Sequence, residues 1–225
     1  MKDLVKENSI CVILLCLFLS TAGLLLMQIA QGDAIIFCAR NRSPFLNTFF
    51  VWVTKLGEEM SYITVGLATF FVAYRYVIGT LLTAFSATLL STGLKCLFSH
   101  PRPLTYFEHV IHKSDLLTFV EGVELRTAWA SSFPSGHTTS AFALFGLLIL
   151  ISKNQVLKVI LMIGAILTGL SRIYLVQHFL KDVLAGAVLG VFIAVLMYQF
   201  VEYLGAKMWA NQNVLLSLKI SQEAS

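Results

Sequence analysis

Long apolar stretches separated by short polar ones leave this chain few ways to fold. Mostly apolar candidate spans run over 10–30, 60–74, 77–98, 137–151, 156–175 and 179–200. A helix needs about 20 such residues to cross a bilayer, where lipid offers its backbone N–H and C=O groups no outside partner. Of the 225 residues, 57% are hydrophobic and only 12% charged, against roughly a quarter charged in soluble domains. The sequence therefore predicts an all-α integral membrane protein, a six-transmembrane-helix bundle forming one domain over 1–225. The second and fourth stretches are short, so they borrow turns from their flanks or sit where the bundle mouth dips below the interface. The first follows Lys2 and Lys6 but is too long for the apolar region of a cleaved signal, and reads as an uncleaved helix.

Between the first two spans, Ser43-Pro44 opens another helical pattern. Serine caps, proline fits the first helical position, and Phe45, Leu46, Phe49, Phe50, Val53 and Leu56 recur at helical spacing. With Trp52 alongside, this segment suits an interfacial helix, or equally one packed on the bundle. The net charge of +4 is modest and several basic residues lie in the polar stretches, which argues against a nucleic-acid partner. Cys11, Cys16, Cys38 and Cys96 have neither metal-site nor disulfide-framework spacing and read as small hydrophobes.

Three polar islands carry most of the information: KCLFSHPRP over 95–103, PSGH over 134–137, and SRIYLVQHFLKD over 171–182. The first ends span three and the second opens span four, so both lie on one face. Span four crosses away and span five returns, which brings the third island to that face too. Span counting alone thus gathers Lys95, Arg102, Arg172, His137, His178 and Asp182 on one side of the membrane.

Each island has its own chemistry. His178 and Asp182 stand four residues apart on one helix face, where a carboxylate can accept the proton of one ring nitrogen and leave the other lone pair exposed. Arg172 adds a guanidinium suited to clamping phosphate. Ser135 and Gly136 precede a helix whose free N–H groups form an anion site, and His137 in its first turn is placed to protonate a departing oxygen. Lys95 ends span three, and Pro101 and Pro103 restrict the backbone around Arg102. Taken singly, these are also what a structural His–Asp pair, a capping serine and a snorkelling lysine look like. Their conjunction favours a site that holds and attacks a phosphate.

The spacing resembles the signature of the type-2 phosphatidic acid phosphatase superfamily: K-x6-R-P at Lys95, Arg102 and Pro103, then P-S-G-H at 134–137, then S-R-x5-H-x3-D at Ser171, Arg172, His178 and Asp182. The resemblance implies metal-independent hydrolysis of a lipid phosphomonoester or pyrophosphate through a phosphohistidine, with no cofactor. It makes His178 the nucleophile, Asp182 its orienting partner and His137 the acid and base. Lys95, Arg102, Ser135, Gly136 and Arg172 then hold the phosphoryl oxygens. The substrate partner is a lipid phosphate within the bilayer. A lipid phosphoryl or head-group transferase with the same site, and a non-catalytic phospholipid binder or transporter, are the rival readings.

Other residues weigh less. Glu58 and Glu59 suit the positive end of span two, with substrate contact a lesser reading. His100, His109 and His112 lie in or beside the connection 99–133, and no carboxylate or cysteine completes a metal set with them. Gly186 and Gly190 continue the His178–Asp182 face and predict close helix packing. Trp209 reads as an interface anchor before a polar tail. Arg75, Lys153, Lys158, Lys2, Lys6 and Lys207 favour a cytoplasmic opposite face, although Arg40, Arg42, Lys55, Lys113 and Arg126 pull the other way. The expectation is a bacterial inner-membrane enzyme whose site faces the periplasm or exterior.

Overall fold

A computed structural model describes residues 2–125, 131–207 and 211–212. Arg126, Trp209 and the tail beyond Gln212 lie outside the described residues. Among those described, the regular structure is helical: α1 (Lys2–Glu7), α2 (Ser9–Gln28), α3 (Asp33–Arg40), α4 (Pro44–Thr54), α5 (Glu59–Phe70), α6 (Tyr74–Leu97), α7 (Pro103–His109), α8 (Gly136–Ile151), α9 (Gln155–Tyr174) and α10 (Leu180–Gly205), with short 3-10 turns at Lys55–Gly57 and Ser114–Leu116.

Four of these helices, α2, α6, α9 and α10, are long and apolar enough to cross a membrane. The other two expected spans are shorter: α8 has 16 residues and α5 has 12. Helix α5 stops at Phe70 although the chain stays apolar through Ala73; a turn, closed by Val72 N–H and Ala73 N–H on the Thr69 carbonyl, intervenes before α6. No glycine, proline or charge marks that turn, so hydropathy carries the apolar run through it.

The Ser43-Pro44 signal gives the expected start of α4, with Ser43 Oγ accepting from Leu46 N–H at 3.2 Å and Pro44 in the first turn. Trp52 of α4 is 65% exposed, with the Lys55 ammonium 4.0 Å from its ring centre.

Helix α8 is apolar all round, as a helix enclosed by others must be. It packs against α6, α9 and α10, and Phe142, Ala143, Leu144 and Leu147 are buried. Exposed Leu81, Phe85 and Leu89 on α6, and Val188 and Phe192 on α10, face outward instead. Such a surface is stable against lipid rather than water. Helices α8 and α10 touch nearly backbone to backbone: a Cβ on Gly186 would lie 2.7 Å from the Ser135 carbonyl oxygen, and one on Gly190 2.6 Å from that of Thr139. These are the packing glycines expected from the sequence, and they hold the start of α10 against the start of α8.

The connection after α6 folds back through α7. Phe107 of α7 is fully buried under the start of α3, where Gly32 has φ +105° and any Cβ would strike the Phe107 ring at 2.7 Å. Arg42 then ties the α3–α4 loop to both sides of the site face, donating to Thr118 Oγ1 (2.8 Å), the Thr118 carbonyl (2.9 Å) and the Tyr174 carbonyl (2.9 Å).

Gly190→Ala is expected to lower stability by about 1–3 kcal/mol through overpacking. Gly66→Ala, whose Cβ meets nothing within 4 Å, is expected to be neutral or to gain up to about 1 kcal/mol from helix propensity. Thermal unfolding in detergent micelles measures both.

Candidate active site

The third island is a helix ending followed at once by a helix beginning. Helix α9 closes with Val176 N–H on the Ile173 carbonyl (3.1 Å) and Gln177 N–H on the Arg172 carbonyl (2.9 Å), the paired bonds of a Schellman ending. The left-handed residue of that motif is normally glycine; here it is Val176, at φ +58° and buried. A β-branched residue there costs on the order of 1–2 kcal/mol. The turn presents His178, whose own N–H also bonds the Arg172 carbonyl at 3.1 Å. Helix α10 starts two residues later, its third residue Asp182 accepting the Phe179 N–H through Oδ2 at 2.9 Å.

That same Oδ2 lies 3.6 Å from His178 Nδ1. The separation is slightly long for a hydrogen bond, and His178 Nδ1 and Asp182 Oδ1 have no other hydrogen-bond partner. Asp182 is fully buried and His178 is 2% exposed. Burial pushes the His178 imidazole down to about 4; Asp182 pulls it partly back, and the guanidinium groups of Arg172 and Arg102 add to the depression. At neutral pH the ring is therefore uncharged, with Nδ1 toward the carboxylate and Nε2 on its other side.

The second island meets the third through its backbone. Ser135 N–H donates to the Asp182 main-chain carbonyl at 3.0 Å, which fixes the start of α8 beside His178. Ser135 is a buried N-cap, its Oγ accepting from Thr138 Oγ1 (2.8 Å) and Thr138 N–H (3.4 Å). Gly136 opens the helix, and a Cβ there would lie 3.3 Å from Lys95 Nζ. Lys95, in the last turn of α6, thus sits beside the positive end of α8, and the two like charges together favour an anion between them.

The first island is stitched to the residues before PSGH. Ser132 N–H bonds the His100 carbonyl at 2.9 Å, and Ser131 Oγ bonds the Phe98 carbonyl at 2.8 Å. Arg102 is the N-cap of α7, with Pro103 at its first position. Its guanidinium is 4% exposed and donates to the Gln177 carbonyl at 3.3 Å. Arg172, also buried, donates to Thr54 Oγ1 at 2.6 Å. Two guanidinium groups thus flank the turn that carries His178, one held from α7 and one from the end of α4.

His137 stands apart from this buried cluster, 27% exposed, with Nε2 3.8 Å from Glu58 Oε1. It lines a cavity of about 530 Å³ together with Lys95, Gly136, Ser140, Glu58 and Glu59. Glu58, weighed mainly as a helix-end charge in the sequence, is therefore a wall of the site. Thr54 and Gln177 carried no signal of their own, because one acts as a helix-end hydroxyl and the other through its carbonyl. His100 stacks on Phe98 and meets Phe133 edge-on, while His109 pairs with Glu108 at 3.9 Å. Among the described residues no three His, Cys, Asp or Glu side chains converge as a metal site.

The depressed His178 fixes the sign of a pH effect. Between about 4 and its ordinary 6.5 the unfolded chain binds a proton there and the folded chain does not, so stability rises with pH across that window. The melting temperature in detergent is expected to climb less steeply over this range in His178→Gln than in the wild type. Equal slopes would show that the imidazole is not held neutral by the fold.

Residues 74–206, more than half of the chain, match the family model of the PAP2 superfamily. The chain is 27% identical over 180 residues to the lipid A 4'-phosphatase of Bacteroides thetaiotaomicron, covering 76% of this chain and 77% of that protein. It is also 27% identical over 130 residues to the undecaprenyl-diphosphatase BcrC of Bacillus subtilis, covering 58% of this chain and 60% of that one. The crystal structure of a transmembrane PAP2-type phosphatidylglycerolphosphate phosphatase from Bacillus subtilis superposes with a TM-score of 0.60 at 25% identity, over 88% of this chain and 96% of that one. The chain belongs to the PAP2 superfamily, as an integral membrane phosphatase.

Proposed function

We propose that this protein hydrolyses a lipid phosphate through a phosphohistidine formed on His178. The observation that carries the reading is the buried, neutral imidazole set between a carboxylate and two guanidinium groups. Nε2 attacks phosphorus as the ester O–P bond breaks, and the Nδ1 proton is stabilised by Asp182 as positive charge develops on the ring. His137 gives its proton to the departing oxygen. In the second step His137 takes a proton from water, whose oxygen attacks the phosphohistidine, releasing phosphate and restoring His178.

Lys95, Arg102, Arg172, the Ser135 hydroxyl and the N–H groups at Gly136 hold the phosphoryl oxygens. Each cation at about 4 Å contributes on the order of 4 kcal/mol at an effective dielectric near 20, before desolvation. Because these charges are already ordered before substrate arrives, the transition state needs little reorganisation. No step in this sequence calls for a metal ion.

The relatives named above act on different lipids, which supports a lipid phosphate as the substrate class. The bundle reading completes the six spans with α5 and α8 extended by their flanking turns, α4 lying at the interface, and the site opening to the exterior of a bacterial inner membrane. Exposed Phe45 and Trp52 on α4 support its place at a membrane surface.

Full-length protein in phospholipid vesicles containing phosphatidic acid is expected to release inorganic phosphate in excess EDTA, and His178→Ala to lose at least about a thousandfold in rate. A variant that keeps the normal rate, or an activity abolished by EDTA and restored by Mg²⁺, would contradict the mechanism.

A further inference from the structure

We propose that Glu58, with Glu59 beside it, tunes this site toward phosphomonoesters and against diphosphates. The inference rests on the phosphatase reading above and narrows it to a substrate class. Glu58 is the residue preceding α5, and its side chain makes no capping hydrogen bond. It reaches instead to within 3.8 Å of His137 Nε2. Glu59 lines the same cavity, and on that wall Met60 and Ile63 follow, both more than half exposed. The acidic pair therefore lines one cavity with His137 and with an apolar margin suited to a lipid tail.

The oxygen that leaves phosphorus must come within about 3 Å of His137 to receive its proton. That leaves it within roughly 7 Å of the Glu58 carboxylate, inside the Debye length of about 8 Å at physiological salt. In a phosphomonoester the O–P bond breaks to give an alcohol, which is neutral once protonated. In a diphosphate the bridging O–P bond breaks to give a lipid phosphate that still carries negative charge. Its retained phosphate would sit against two carboxylates. Lys95 shares the cavity, but it lies over Gly136 at the positive end of α8, where the transferred phosphoryl group is held. The leaving-group wall is thus acidic and repels a second anion.

The test uses the full-length protein in vesicles with the monophosphate and the diphosphate of one isoprenoid alcohol, so that only the leaving group differs. Wild type is expected to prefer the monophosphate in kcat/KM by roughly tenfold or more. Glu58→Gln, which keeps the side-chain volume, is expected to cut that preference by roughly tenfold, and Glu58→Lys to shift it further toward the diphosphate. Because the preference is a ratio, general damage to the fold does not move it. Equal or reversed preference in wild type overturns the proposal while leaving the phosphatase reading intact. So does a loss in Glu58→Gln that is the same for both lipids. Failure of folded wild type to release phosphate from either lipid overturns the phosphatase reading itself, and this proposal with it.

Discussion

Two ends of Asp182 bind different parts of the site, and little else in the molecule could be moved without disturbing them. Its carboxylate accepts the N–H of Phe179, the N-cap of α10, and faces His178, while its main-chain carbonyl accepts the N–H of Ser135, the N-cap of α8. A buried carboxylate is costly unless its partners are fixed. The fold supplies them from the adjoining turn, and it brings α8 and α10 together along Gly186 and Gly190 of α10, where a side chain at either glycine would force the helices apart. The helix packing and the arrangement of the site are therefore one constraint.

The same economy explains the strained turn before His178. Val176 occupies a left-handed position, yet its side chain is buried with Ile173, Phe179 and Leu180 in the cluster beneath the site. Packing of that side chain offsets the backbone cost that a glycine would avoid. The turn also directs the Gln177 carbonyl to Arg102 and the Arg172 carbonyl to His178. Both arginines are thus positioned by backbone oxygens and a threonine hydroxyl as well as by charge. That matters because isolated cations at this depth would be expensive.

Much of this was legible in the residues. The long apolar stretches gave α2, α6, α9 and α10, Ser43-Pro44 gave the start of α4, and counting spans predicted that the three islands share a face. The motif spacing picked out the residues that surround His178. What remained hidden depended on tertiary contacts. The motif names Arg102 but not its burial against the Gln177 carbonyl, and Glu58 reads as a helix-end carboxylate until its side chain is seen beside His137. The end of α5 at Phe70 has no breaker residue to announce it, and α3 is too short for its periodicity to stand out from the polar residues around it. Lys158, counted among the loop charges, is instead buried in the first turn of α9 with Nζ donating to the Glu7 carbonyl.

The central claim is that the phosphoryl group passes through the imidazole of His178. Rapid quenching into alkali during turnover, followed by mass spectrometry of the digested protein, measures this directly, since phosphohistidine survives base. The account predicts one added phosphoryl group on the peptide containing His178, present with substrate and gone once substrate is consumed. Label on His137, or on a serine with His178 unmodified while phosphate is being released, would contradict it.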